Sequence, residues 1–241
     1  MSLRLTMHPD NQRKFPLLAD LYREGDVGNR DNYFSICAEA RLLPGDEAQF
    51  VTWESELTLL DPDSRATFIK KAKGLVSVRD KSGRDWHQLV EIFNEIKGYE
   101  LAKNLGYERV RFISDRSLPD IEASGAVGTG LIEVKTINES AYEVSVRGKK
   151  VQKGEFGLPD RLRTALSERY EKARSQIFNH SASSDARKIC LFVIDLDLRT
   201  VLKTKNKECL NLFLTQLESD VEIHSISGPW PAERTIEVNA R

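Results

Sequence analysis

The sequence predicts an α/β fold, in which a mixed central β-sheet flanked by helices follows a mainly helical N-terminal region. Three observations carry this. Proline and glycine cut the first 85 residues into short helical stretches. From about Trp86 the pattern becomes a long helix followed by short β-branched and aromatic segments. The run Ile189-Cys190-Leu191-Phe192-Val193-Ile194 is the most apolar of the chain, as expected of a central strand buried on both faces.

In chain order, Pro9, Pro16, Pro44-Gly45 and Pro62 break the helical stretches of residues 1–85. One helix is expected over Asp31–Leu42. Another follows Asp61-Pro62-Asp63-Ser64, whose acidic and hydroxyl groups can cap orphan N–H groups. Gly83-Arg84-Asp85 reads as a turn and as the boundary between an N-terminal region, 1–85, and a second domain, 86–241. Leu89, Ile92, Phe93, Ile96, Leu101 and Leu105 fall largely on one helical stripe that stops at Gly106. Strands are expected at Val110–Ile113, Leu118–Ala123 and Leu131–Ile137, with Gly125, Gly128 and Gly130 forming a hairpin loop rather than a dinucleotide fingerprint. A ribbon over Tyr142–Val146, a helix from Pro159-Asp160 to Phe178, the strand Lys188–Leu196, a helix at Glu208–Leu217 and a strand at Val221–Ile226 complete the order. Trp230, between two prolines, reads as a terminal anchor.

Composition excludes several classes. Lys and Arg total 36 against 37 Asp and Glu, a formal net charge of −1, so the chain is neither a polycation nor an acidic tail. The longest apolar run is far short of the roughly 20 residues that cross a bilayer, and Arg4, His8 and Asp10 interrupt any secretory leader. Cys37, Cys190 and Cys209 show no C-x-x-C pair, and His8, His87, His180 and His224 show no zinc spacing. A soluble cytoplasmic protein without a membrane anchor is the expectation.

The chemistry concentrates on Pro119-Asp120 and Glu133-Val134-Lys135. Side chains alternate along a strand, so Glu133 and Lys135 share a face, roughly 7 Å apart at Cα, while Val134 points to an apolar layer on the other. With Asp120 on the neighbouring strand, two carboxylates converge, a situation relieved by a divalent cation such as Mg²⁺. The alternative is a strand edge carrying solvated Glu and Lys.

Asp120, a 12-residue interval (121–132) and then Glu133-Val134-Lys135 resemble the PD-(D/E)xK nuclease superfamily, the restriction-endonuclease-like fold. The likeness spans about Leu89–Leu196. It implies a Mg²⁺-dependent endonuclease, with Mn²⁺ as a substitute, hydrolysing phosphodiester bonds in DNA in restriction, repair, recombination or defence. It implies that Asp120, Glu133 and the Val134 carbonyl hold the metal, that Lys135 positions or deprotonates the attacking water, and that a glutamate of the preceding helix joins them. Glu95 is the choice for that role, 11 residues before Gly106, with Glu91 the alternative and Glu100 a weaker one. A homodimer suits double-strand cutting, and RNA is not excluded as substrate. The second reading is a catalytically inactive nuclease-like module that binds nucleic acid or protein.

Charge placement adds a nucleic-acid surface. Between Arg147 and Arg174, Arg147, Lys149, Lys150, Lys153, Arg161, Arg163, Arg169, Lys172 and Arg174 face only Glu155, Asp160, Glu168 and Glu171. The glycine-flanked loop and the first turn of the helix after it, from Arg147 to Arg163, are the expected phosphate contacts. The helix beyond reads equally as a solvated face with Glu168–Lys172 and Glu171–Arg174 pairs. Tyr170 and Gln176 do not match the spacing of the Gln-and-Tyr motif of some exonuclease branches, so Tyr170 is read as core and Gln176 as a secondary site residue.

Overall fold

The structure is a computed structural model that describes residues 7–25, 29, 31–38, 41–79, 86–138, 160–182, 184–195, 204–217, 220–227 and 235–238. The chain divides into two compact units, 1–100 and 101–241.

In the first unit, α1 (Pro9–Lys14), α2 (Pro16–Glu24), α3 (Pro44–Thr58) and α4 (Pro62–Ala72) each begin on a proline. The prolines therefore open helices instead of breaking them. Proline's fixed φ suits the first helical position, where its missing N–H would have had no partner. Leu43, just before Pro44, is extended at φ −64° and ψ 147°, because the proline ring excludes the helical basin for its predecessor. Of the helix expected over Asp31–Leu42, the described residues show a 3₁₀ segment, Tyr33–Ala38, and the longer helix lies after Pro44. The cap read at Asp61 is present: its Oδ1 accepts from the Ser64 N–H at 2.9 Å. The core of this unit is aromatic. Trp53 stacks on Phe93 with centroids 4.0 Å apart and planes 7° apart, and Phe68 meets Phe93 edge-on at 5.1 Å.

Helix α5 (His87–Asn104) runs to the start of the second unit. Gly106, at φ +89°, closes it: the Gly106 N–H donates to Lys103 O at 3.0 Å and the Tyr107 N–H to Ala102 O at 3.1 Å. Only glycine adopts this left-handed position without strain.

The second unit holds a mixed sheet, six-stranded among the described residues, in the order β1 (Arg109–Phe112), β2 (Ile121–Gly125), β3 (Gly128–Asn138), β4 (Arg187–Asp195), β5 (Glu222–Ser227), β6 (Thr235–Val238). The first three strands and the β5–β6 pair are antiparallel, whereas β3, β4 and β5 run parallel. A parallel pair needs a crossover, and helix α6 (Asp160–Phe178) lies between β3 and β4 in the chain. Helix α7 (Thr204–Gln216) lies between β4 and β5. Ile189 through Ile194 are all buried, as a central strand requires. Leu131, Ile137, Cys190, Phe192 and Ile194 meet Leu162, Leu166, Tyr170, Ala173 and Ile177 of α6 in one apolar cluster, with Leu210 and Leu214 of α7. Tyr170 is thus core, as read.

The second strand starts later than expected. Pro119 and Asp120 precede β2, whose first ladder pair is Phe112 with Ile121. Proline cannot donate to a ladder, and the stretch before it is an Asp115 turn in which the Ser117 N–H donates to Asp115 Oδ1 at 2.8 Å. The β6 strand was not anticipated. The expected ribbon Tyr142–Val146, the Gly83–Asp85 turn and Trp230 lie outside the described residues.

Candidate functional site: a closed polar cluster under the third strand

The residues singled out in the second unit do meet. Glu133 and Lys135 occupy alternate positions of β3, and Asp120 sits at the entry to β2, beside them. The Asp120 N–H donates to Glu133 Oε2 at 3.0 Å, and Asp120 Oδ2 accepts from the Val134 N–H at 2.9 Å. Each residue thereby uses backbone of one strand and side chain of the other, which pins the entry of β2 to β3.

Their surroundings differ from expectation. Glu133 is 1% and Lys135 6% exposed, so neither is a solvated strand-edge residue. Nor do they face away from the apolar layer. Leu131 and Ile137, of the same strand parity, belong to the apolar cluster with α6, and Val134 on the opposite face is buried as well. β3 is therefore covered on both sides, and its charged pair lies beneath a helix.

Burial of a charge requires partners. The Lys135 ammonium donates to Glu133 Oε1 and, at 2.7 Å, to Gln176 Oε1. Gln176, 8% exposed on α6, donates its amide to the carbonyls of Arg116 and Leu118, both at 3.1 Å. This glutamine connects the ammonium on β3 to the loop that carries Asp120. From residue order alone, Gln176 has only a secondary place. The stronger signal was its position on the apolar stripe of α6, between Ala173 and Ile177, where a polar side chain has to bond inward.

Electrostatics follow from the same geometry. Burial, and then the charge of Asp120, push the Glu133 carboxyl up to about 8, against the opposing pull of Lys135. Cys190, opposite Glu133 on β4, is fully buried, and that burial raises its thiol.

The expected metal centre is corrected by this arrangement. Among the described residues, no three His, Cys, Asp or Glu side chains form a group that could hold a metal ion. Both oxygens of Glu133 and one of Asp120 are engaged by N–H groups. Glu95, the expected third acid, is paired with Lys71 in the first unit, and Glu100 lies 3.6 Å from the Lys97 ammonium. Glu91 is half-buried on the same helix. The residues do not fit Mg²⁺ or Mn²⁺, whose hard octahedral shell needs several free oxygens. The expectation of a metal-dependent nuclease, and of a phosphodiester hydrolase, is overturned with it.

The expected phosphate contacts Arg147, Lys149, Lys150 and Lys153 lie outside the described residues, as does the side chain of Arg161. Arg163 is exposed on α6, its guanidinium carbon 6.0 Å from the centroid of Phe213. Arg169 and Lys172 are also exposed, and Arg174 pairs with Asp220 at 3.0 and 3.1 Å instead of with Glu171. No helix of the described residues is long and apolar enough to cross a membrane. A mixed sheet flanked by helices is broadly consistent with an α/β nuclease-like fold. Comparison with family models, with curated proteins and with solved structures gives no match for this chain.

Proposed function

We propose that the chain is a nuclease-like module, built on the PD-(D/E)xK plan, that binds nucleic acid without cleaving it. The observation that carries this reading is the Lys135 ammonium, which bridges Glu133 and Gln176. A lysine spent on internal partners under a helix closes the cluster as a structural clasp. Asp120, Glu133, Lys135 and Gln176 then serve to hold the β2–β3 pair and α6 in register.

The binding surface in this reading is basic. Arg163, Arg169 and Lys172 lie exposed along α6, whose first turn also carries Arg161, and the chain leading into that helix carries Arg147, Lys149, Lys150 and Lys153. Cations of this density favour a phosphate backbone through counterion release, which needs no base-specific contact. DNA is the expected partner, and residues 1–85 form a recognition or regulatory region beside it.

Two measurements test the reading. Titration calorimetry with Mg²⁺ is expected to give no binding heat with either the natural chain or Glu133→Ala. Labelled DNA is expected to bind with an affinity that falls steeply with salt, and Arg163→Ala should reduce the log–log salt slope by about one. Mg²⁺-dependent cleavage lost in Lys135→Ala would sink the proposal, as would a complete lack of DNA binding at low salt.

A further inference from the structure

At the C-terminal end of α6 an aromatic ring stands in water beside two cations. Phe178 is 41% exposed, although Ile177 next to it is fully buried. Arg174, one helical turn earlier, places its guanidinium carbon 5.3 Å from the ring centroid. Lys188, near the start of β4, brings its ammonium to 5.1 Å. The two cations come from separate elements, so tertiary structure assembles the patch. Asp220 grips the Arg174 guanidinium through two hydrogen bonds, at 3.0 and 3.1 Å, which fixes its plane. Arg174, Lys188 and Asp220 together carry one net positive charge, and Glu171, close enough to act on Arg174, offsets it. Arg169 and Lys172 continue the exposed basic side of the helix, interspersed with Glu168 and Glu171.

We propose that Phe178, Arg174 and Lys188 form a contact for an unpaired nucleotide, so that the module prefers single-stranded nucleic acid. The inference rests on the nucleic-acid reading above and narrows it. A nucleobase offers a flat π-face to the ring or to the held guanidinium plane, and its phosphate offers an anion to the ammonium. In a duplex the base faces are already stacked, so only the charges gain a partner. Lys188 has a flexible stem and can leave the ring for a phosphate, uncovering the phenyl face. A cation–π contact in water is weaker than the base stack and ion pair that replace it, so the exchange favours binding. Charge complementarity selects this occupant over an apolar protein segment, which would have to desolvate both cations.

Fluorescence anisotropy on the full chain tests the inference, with a labelled oligothymidylate of about 12 nucleotides and a duplex of the same length. The single strand is expected to bind more tightly. Phe178→Ala should weaken single-strand binding about 10-fold and duplex binding by less than about twofold, and Phe178→Trp should restore it. Lys188→Ala should lower the single-strand salt slope by about 0.7. Because Phe178 is exposed, circular dichroism is expected to show all variants folded. If the natural chain binds DNA but Phe178→Ala leaves single-strand affinity unchanged, this inference falls and the nucleic-acid reading stands. Equal affinity for both oligonucleotides has the same consequence. Binding of neither overturns both.

Discussion

Both units of the chain place lysine–glutamate pairs away from bulk water, but the pairs do different work. In the helical unit, Lys71 pairs with Glu95 at 15% and 13% side-chain exposure, and Lys97 reaches Glu56 at 2.8 Å with exposures of 14% and 5%. In the sheet unit, Lys135 and Glu133 are at 7% and 2%, with Asp120 as a second carboxylate beside them. The Lys71–Glu95 pair, at the margin, keeps water at hand. A pair under α6 has only protein, so every oxygen and every N–H must find a neighbour. The same two residue types thus make a marginal tether in one unit and an internal clasp in the other. Their cores differ in kind too, with stacked aromatic rings in the first and strand aliphatics packed on a helix in the second.

The largest effect is expected where the aromatic core is deepest. Trp53→Ala should cost about 4 kcal/mol, read from the urea midpoint of the transition that reports the first unit, since it removes the ring stacked on Phe93. A loss below about 1 kcal/mol would show that the rings do not hold that unit together. Lys135→Ala should cost about 3 kcal/mol above pH 8, where it leaves the Glu133 carboxylate buried without its cation. Lys71→Ala, at a site that keeps 15% side-chain exposure, should cost no more than about 1 kcal/mol. Equal costs for the two lysines would erase the contrast between clasp and tether.

Two carboxyls, one in each unit, answer pH in opposite senses. The native Glu133 carboxyl titrates near 8, above the ordinary value of 4.5, so the native state holds the extra proton between these values. Its contribution to stability is complete below the ordinary value and is lost as pH rises through about 8, with a slope of at most about 1.4 kcal/mol per pH unit. Glu133→Gln should flatten stability across that window in chemical denaturation at successive pH values. A slope that persists in the variant would assign it to another group. Asp61 behaves conversely. Burial pushes its carboxyl up, but the hydrogen bonds from Ser64 and Tyr99 outweigh that and leave it below its ordinary 3.8. Its contribution is present above that value and lost as pH falls through the native one. Asp61→Ala should cost about 1 kcal/mol at neutral pH and much less in acid.

Much of this architecture could be read from residue order. The apolar run at Ile189–Ile194 is the central strand, Gly106 ends a helix, Asp61 caps one, and Asp120 does meet Glu133 and Lys135. These features depend on local dihedral preference or on the two-residue strand period, which the chain carries wherever it folds. The prolines were misread because a ring at the first helical position and a ring inside a helix look alike until the hydrogen bonds are known. Strand β6, four residues long, owes its place to pairing with β5 and has too little pattern of its own to announce it.

The character of the polar cluster was settled only in three dimensions. Residue types and spacing are the same for a cation site and for an internal ion pair. The choice between them turns on the packing of α6 over β3, on Gln176 arriving from 41 residues away to take the Lys135 ammonium, and on Glu95 being paired with Lys71. Such contacts are long-range, and their energy depends on how much water the fold removes. No linear pattern of charges encodes that quantity.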